Sequence, residues 1–466
     1  MFFGPLFKKK IGLAALLSFL AITGITFFKS ALELEDAEQA YYSQWLRWGY
    51  DDQPPFYTWL QYLVNQVFGM QKGSFSVLRG TIFASILISL WHFGTIMRLS
   101  EKKAELAVFV LVLVPVFIDF TFRRLSHTSL LCLVIVMSFI VLHRLLHDKS
   151  WTNYGLLGLI VSVGILSKYN YILFLAAFVS VLFIDKELRQ IVFNKKILLT
   201  IVLVAVLLFP HVYWLLGPDG HVEQLHESIV LKIERKTDTE LYVLGPLFSL
   251  IKTLVKLLAP LLTVFSLAYL FKQVNFSRPK LDWFAKLGLL QLFIFLVFFV
   301  VFNVQKVEER WLFPLLLPFV VLLVRLVEFK SDHKWSTGLF RLFLLVVVIQ
   351  VVRTPVEKVL DIPSSVHYGF EPLSELLNKR YANKKWQLPN VTYGGNIHIL
   401  NPDTEIFSGD DFSLSGSKLQ NVEGVAVLVG KENLNGRIPI EQLVDFGKEK
   451  DTLFILPLEE GTFLYE

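Results

Sequence analysis

The chain has 466 residues, 54% of them hydrophobic and 18% charged, with a mean hydropathy of +0.54. Soluble globular chains average about 45–50% apolar and about 25% charged, so these values exclude disorder, a secreted disulfide scaffold, a collagen-like fibre and a soluble fold over most of the length. The formal net charge of +5 does not indicate nucleic acid, because the basic residues fall between apolar blocks and read as topology signals. The single cysteine, Cys132, leaves no intramolecular disulfide and no thiolate metal site.

A hydrocarbon core about 30 Å thick needs roughly 20 apolar residues at 1.5 Å each. Taken from the N-terminus, the runs 11–28, 77–97, 104–117, 129–146, 154–166, 171–184, 197–216, 244–270, 287–304, 311–327 and 337–352 predict about eleven transmembrane helices, hence an all-α polytopic membrane protein. Lys8, Lys9 and Lys10 before the first run resemble a signal peptide, but Phe27-Phe28-Lys29 lacks a small-residue cleavage site, so an uncleaved span is expected. Lysine and arginine concentrate in alternate loops, from Lys8–Lys10 through Arg98, Lys102 and Lys103 to Lys330 and Lys334, which places that set in the cytoplasm. An odd number of spans then puts the segment after Val352 outside. There, residues 353–466 carry turn signals (Pro389-Asn390, Gly394-Gly395, Asn401-Pro402, Ser408-Gly409) and strand candidates at 425–429 and 452–456, which predicts a small soluble α/β domain after a membrane domain of residues 1–352.

The outer loops hold the chemistry. The first carries Glu33, Glu35, Asp36 and Glu38, then Tyr41, Tyr42, Trp45, Trp48 and Trp59, and is too apolar to be solvated filler. Surface-lying helices with Trp and Tyr at headgroup depth fit it. Its carboxylates read either as a solvated helix N-terminus or as groups that accept a proton from a hydroxyl and balance an oxocarbenium-like charge. The second has Asp119, Arg123, Arg124 and His127; the arginines read as headgroup anchors or as a phosphate fork. The third has Lys168 and Tyr169. In the fourth, Lys306 precedes Glu309 and Arg310, whose simplest reading is a pair with each other, worth little at an exposed surface. Cations and carboxylates on one membrane face suit a sugar carried on a lipid phosphate, whose leaving group needs its charge stabilised. His221 and His226 do not have the spacing of metal ligands on one helical face, and an amphipathic surface helix is expected there.

The run Ala37-Glu38-Gln39, Tyr42-Ser43-Gln44, Gly49-Tyr50 and Gln53-Pro54-Pro55-Phe56-Tyr57-Thr58-Trp59-Leu60-Gln61 resembles the first outer loop of membrane glycosyltransferases with the GT-C fold. These are relatives of the protein O-mannosyltransferases and the lipid A aminoarabinose transferase. Ser126-His127-Thr128, Leu166-Ser167-Lys168-Tyr169 and Glu309-Arg310-Trp311-Leu312 are similar to later landmarks, so the resemblance covers roughly the first 330 residues. Its nearest form is the bacterial branch that moves sugars such as galacturonic acid from a polyprenyl phosphate to lipid A or the lipopolysaccharide core. The resemblance implies an inner-membrane enzyme with a periplasmic site, a polyprenyl-phosphate sugar as donor, an envelope glycan or lipid as acceptor, and no metal cofactor. It implies Arg123, Arg124 and Lys168, then Lys306 and Arg310, for the donor phosphate. Tyr41, Tyr42, Gln53, His127, Tyr169 and Glu309 would line the sugar and acceptor pocket. The family usually shows Asp then Glu before the helix; here Glu35 and Asp36 stand in reverse order, and either is open as the catalytic carboxylate. A lipid transporter or flippase, a protein O-glycosyltransferase and an inactive scaffold are the alternatives. Charges at span ends and the lack of a repeated half disfavour transport.

Overall fold

The computed structural model describes residues 10–217, 220–233, 244–278, 280–382, 385–414, 425–430, 441–443 and 453–456. Lys8, Lys9 and Thr452 of the sequence reading lie outside them. Among the described residues, seven helices are long and apolar enough to cross a membrane: Lys10–Phe28, Lys72–Ile96, Ser126–His147, Ile197–Leu216, Leu244–Leu270, Trp283–Val301 and Asp332–Val359. An eighth crossing is available if Glu101–Leu113 and Pro115–Arg124, bent by 83° at their junction, form one broken span. The protein is a polytopic membrane protein whose membrane-length elements are all α-helical.

All eleven apolar runs are helical, but four fall short of a straight span. Trp151–Ser167 and Tyr171–Val181 are short apolar helices, and residues 104–117 lie in the bent pair. Residues 311–327 break into Glu309–Leu316, a 3-10 turn Leu317–Phe319 and Val320–Leu326. Pro314 and Pro318 withhold backbone donors there, and each ring crowds the preceding turn.

The chain divides into two compact units. The first comprises Met1–Leu20, Gly80–Tyr213 and Leu225–Val348. Its interior is knit by aromatic contacts around Phe139, whose ring lies 5.3 Å from that of Phe284 and 5.7 Å from that of Phe93. Gly158 brings its helix close to Ile197–Leu216: a Cβ there would sit 2.9 Å from that of Leu203 and 3.1 Å from the Thr200 carbonyl oxygen. A two-stranded antiparallel ladder joins β1 (Val274–Phe276) to β2 (Val327–Phe329). Ion pairs such as Lys286–Asp185 at 2.8 Å tie helix ends together.

The second unit comprises Ala21–Arg79, Trp214–Gln224 and Ile349–Glu466. It holds a five-stranded sheet of order β4-β3-β5-β7-β6, with β3 Lys385–Leu388, β4 Ile406–Ser408, β5 Val425–Gly430, β6 Glu441–Leu443 and β7 Leu453–Leu456. β3 runs parallel to β4 and β5, while β7 is antiparallel to β5 and β6. The predicted strands are thus β5 and β7. Helices Glu371–Tyr381 and Val391–Leu400 pack on the sheet around Leu377, Trp386, Leu388, Ile397 and Ile406. Asn390 caps the second of them, its Oδ1 accepting from the amides of Thr392 and Tyr393 at 3.1 Å. Ala31, from the first outer loop, belongs to the same core cluster.

Candidate functional site

Glu35 and Asp36 open the helix Leu34–Tyr42 in the second unit, where acidic groups complement the positive end of the helix dipole. Their environments differ. Asp36 is buried and ion-paired with the guanidinium of Arg79, itself buried on Lys72–Ile96. Glu35 is half-buried. Periodicity explains the split: Asp36, Ala37, Gln39 and Ala40 face the unit's interior, with Ala37 and Ala40 packed on Leu32 and Phe75.

The helix is held from the far end of the sequence. The Leu32 amide donates to Asn396 Oδ1 at 2.7 Å, and Asn396 Nδ2 donates to the Thr392 carbonyl at 2.9 Å. Gly395 crosses so near the backbone that a Cβ would collide with the Ala37 carbonyl. Gly394 makes room for the ring of Tyr41, 2.8 Å from where its Cβ would be. The amides of Ser30 and Ala31 both donate to the Val366 carbonyl, at 2.8 and 3.0 Å.

Tyr41 and Tyr42, expected to line a sugar pocket, lie in a buried aromatic cluster with Tyr50 and Val391. The Tyr41 hydroxyl donates to Asp411 at 3.0 Å and accepts from the Ser408 amide at 3.0 Å. Burial, reinforced by the Asp411 charge, pushes its pKa well above the usual tyrosine value. Tyr42 donates to Asp51 at 3.0 Å. Arg47 stacks over Trp45 and Tyr50 at 4.9 Å and reaches Asp411 at 3.4 Å. Gln53 sits in the turn bridged to Tyr50 and donates to Asp52 at 3.0 Å. Gly49 leaves space for the ring of Trp214, which stacks on His221 with centroids 4.4 Å apart.

The predicted cations belong to the first unit. Arg123 and Arg124 close a π-helical turn, Phe120–Arg124, a geometry that recurs at functional sites. The wider turn separates their fates: Arg123 is buried, whereas Arg124 is exposed and lies 3.9 Å from Asp119. Helix Ser126–His147 starts immediately after, presenting His127 and Thr128. Lys168, at the end of Trp151–Ser167, donates to Thr128 Oγ1 at 2.6 Å. His127 Nδ1 lies 3.2 Å from the Ser167 carbonyl oxygen, and the Tyr169 hydroxyl lies 3.1 Å from His211 Nε2. These contacts bring His127, Thr128 and Lys168 together, with Tyr169 next in the chain. Glu309 and Arg310 are not each other's partners: Glu309 pairs with Lys256, and Arg310 pairs with Glu308 at 2.6 Å. Lys306 is exposed. The helix Glu309–Leu316 packs on Ser126–His147. In the long outer segment, Val222–Ile233 is the expected surface helix, with Glu223, His226 and Glu227 exposed.

The sequence reading missed Arg79, Asn396 and the tight crossing at Gly395. Arg79 carried a signal, as a cation inside an otherwise apolar span. Asn396 carried none.

A family model described as dolichyl-phosphate-mannose-protein mannosyltransferase matches residues 52–214. The chain is 27% identical to lipopolysaccharide core galacturonosyltransferase RgtB of Rhizobium johnstonii over 413 residues, 85% of this chain and 78% of the relative. To RgtA of the same organism it is 30% identical over 187 residues, 40% of this chain and 38% of that one. The crystal structure of ArnT from Cupriavidus metallidurans bound to undecaprenyl phosphate aligns with a TM-score of 0.62 over 96% of this chain and 97% of that one, at 11% identity. Its apo state aligns with a TM-score of 0.57 over the same shares, at 12% identity. The chain therefore has the ArnT fold and is similar in sequence to a lipopolysaccharide core galacturonosyltransferase over most of its length.

Proposed function

We propose that the chain moves a sugar from a polyprenyl-phosphate donor to lipid A, the lipopolysaccharide core or another envelope acceptor, at the periplasmic face of the inner membrane. The likeness to a core galacturonosyltransferase over most of both chains carries this reading. Residues 1–352 are then the catalytic membrane domain, with all eleven helical runs as spans, and 353–466 the periplasmic domain.

In this reading Glu35 is the reacting carboxylate. The Asp36 carboxylate is buried in its ion pair with Arg79, whereas Glu35 is half-buried at the start of the same helix. Glu35 takes the proton of an acceptor hydroxyl as that oxygen bonds to the anomeric carbon. The bond from anomeric carbon to phosphate oxygen breaks, and its electron pair leaves with the polyprenyl phosphate. Lys168, Arg123 and Arg124 stabilise that developing charge, as fixed donors in a low-dielectric surrounding do most effectively. Lys168 is pre-positioned by Thr128, so little side-chain freedom is lost when phosphate binds. Lys306, Arg310 and Glu309 take secondary roles, and Gln53, His127 and Tyr169 border the sugar.

Mass spectrometry of lipid A and core glycans from cells with and without the gene tests the reading. A sugar present only with the gene, and lost again in Glu35→Gln, is the expected outcome. Identical glycans in both strains would overturn it.

A further inference from the structure

Three ends of membrane-length helices meet around one cavity of about 350 Å³ in the second unit. Phe27 and Phe28 close the first helix, Lys72 opens the second, and Lys358 and Val359 finish the last. Helix ends of this kind lie at headgroup depth. The apolar rim is open: Phe27 is 89% and Val359 83% exposed, which suits contact with acyl chains rather than with water.

The polar part is cationic. Among the described residues, Lys29, Lys72 and Lys358 line the cavity together with the carboxylate of Glu371. Lys72 Nζ is fixed by the carbonyl oxygens of Lys29 at 2.8 Å and Ser30 at 3.1 Å. Lys29 Nζ lies 3.7 Å from Glu33. An ammonium has three donors, so both lysines are held in place and retain hydrogens for a further acceptor. Lys358, the third lysine of the lining, is exposed. Isolated lysines at helix ends are ordinary headgroup anchors. Three converging on one recess of this size, below an apolar lip, form a receptor for a phosphate group carrying fatty chains.

We propose that this cavity binds the headgroup of an anionic lipid, with its phosphate on Lys29, Lys72 and Lys358 and its chains along Phe27, Phe28 and Val359. The claim is independent of sugar transfer, since it needs only the bilayer. Phosphate chemistry is shared by bulk phospholipid and by a phosphorylated glycolipid acceptor.

The test is native mass spectrometry of the purified full chain titrated with phosphatidylglycerol or phosphatidylcholine. The wild type should hold one phosphatidylglycerol in preference to phosphatidylcholine. Each charge near the surface is worth about fivefold in affinity, so Lys358→Gln should weaken phosphatidylglycerol about fivefold and Lys358→Glu about 25-fold. Lys358→Arg should bind as the wild type does. Lys330→Gln/Lys334→Gln, which removes exposed charges from the other set of loops, should change nothing. No preference for phosphatidylglycerol, or equal weakening in Lys330→Gln/Lys334→Gln, would overturn the site. Competition with phosphorylated lipid A identifies the source, and either winner supports a phosphate-headgroup site.

Discussion

Replacing Gly395 with alanine probes the grip on the helix that carries Glu35. The new methyl lands on the Ala37 carbonyl, a backbone group that cannot rotate away, so helices Val391–Leu400 and Leu34–Tyr42 must part or tilt. Overpacking of this kind costs about 1–3 kcal/mol. Parting also stretches the 2.7 Å bond from the Leu32 amide to Asn396. Losing that bond adds about 1 kcal/mol. A total of about 2–4 kcal/mol raises the opening frequency of the helix roughly thirty- to several-hundredfold. Hydrogen–deuterium exchange of amides 34–42 in the intact protein reads this directly, with Gly73→Ala as control, since nothing lies within 4 Å of a Cβ there. Unchanged protection in Gly395→Ala would refute the close crossing and the reasoning built on it.

Glu35→Gln should cut transfer by about 10²–10⁴-fold while donor-lipid binding stays near wild type, measured by turnover and by lipid titration. Asp36→Asn should instead destabilise the fold by about 3–5 kcal/mol, because it removes the charged partner from a buried ion pair; a lowered melting temperature, largely restored in Asp36→Leu/Arg79→Met, checks this. Lys168→Met should weaken donor binding about 10- to 100-fold through loss of a charged hydrogen bond, with unchanged affinity counting against a phosphate role. Burial holds the His398 pKa down to about 4 against the ordinary 6.5, despite the opposing Thr404 hydrogen bond and Asp403 charge. Between those values the unfolded chain binds the extra proton, so stability falls as pH drops from about 6.5 towards 4, by about 2 kcal/mol at pH 5. His398→Gln should flatten that part of the melting-temperature profile.

The helical runs were legible because a charge-free stretch near 20 residues has few other uses. Their continuity was not. Pro210, Pro260 and Pro355 sit inside unbroken helices, whereas Pro314 and Pro318 accompany a break, so the surroundings of a proline decide its effect. The grouping of Lys168 with Ser126-His127-Thr128 was foreshadowed by the family landmarks, and one hydrogen bond joins them. The distinction between Glu35 and Asp36 was invisible: adjacent carboxylates look alike until Arg79, 43 positions away, selects one. Tyr41 was legible as an aromatic in an outer loop. That its hydroxyl is taken by Ser408 and Asp411 depends on a segment more than 360 residues later.

The bond between Leu32 and Asn396 spans 364 positions, which bears on how the protein is made. Ribosomes add about 5–20 residues each second, so roughly 20–70 s separate the synthesis of the two partners. During that interval every intervening membrane segment has to be inserted, while the loop bearing Glu35 waits without its clasp. A product cut short before Asn396 would never fasten it, and incomplete chains would carry a slack reaction loop.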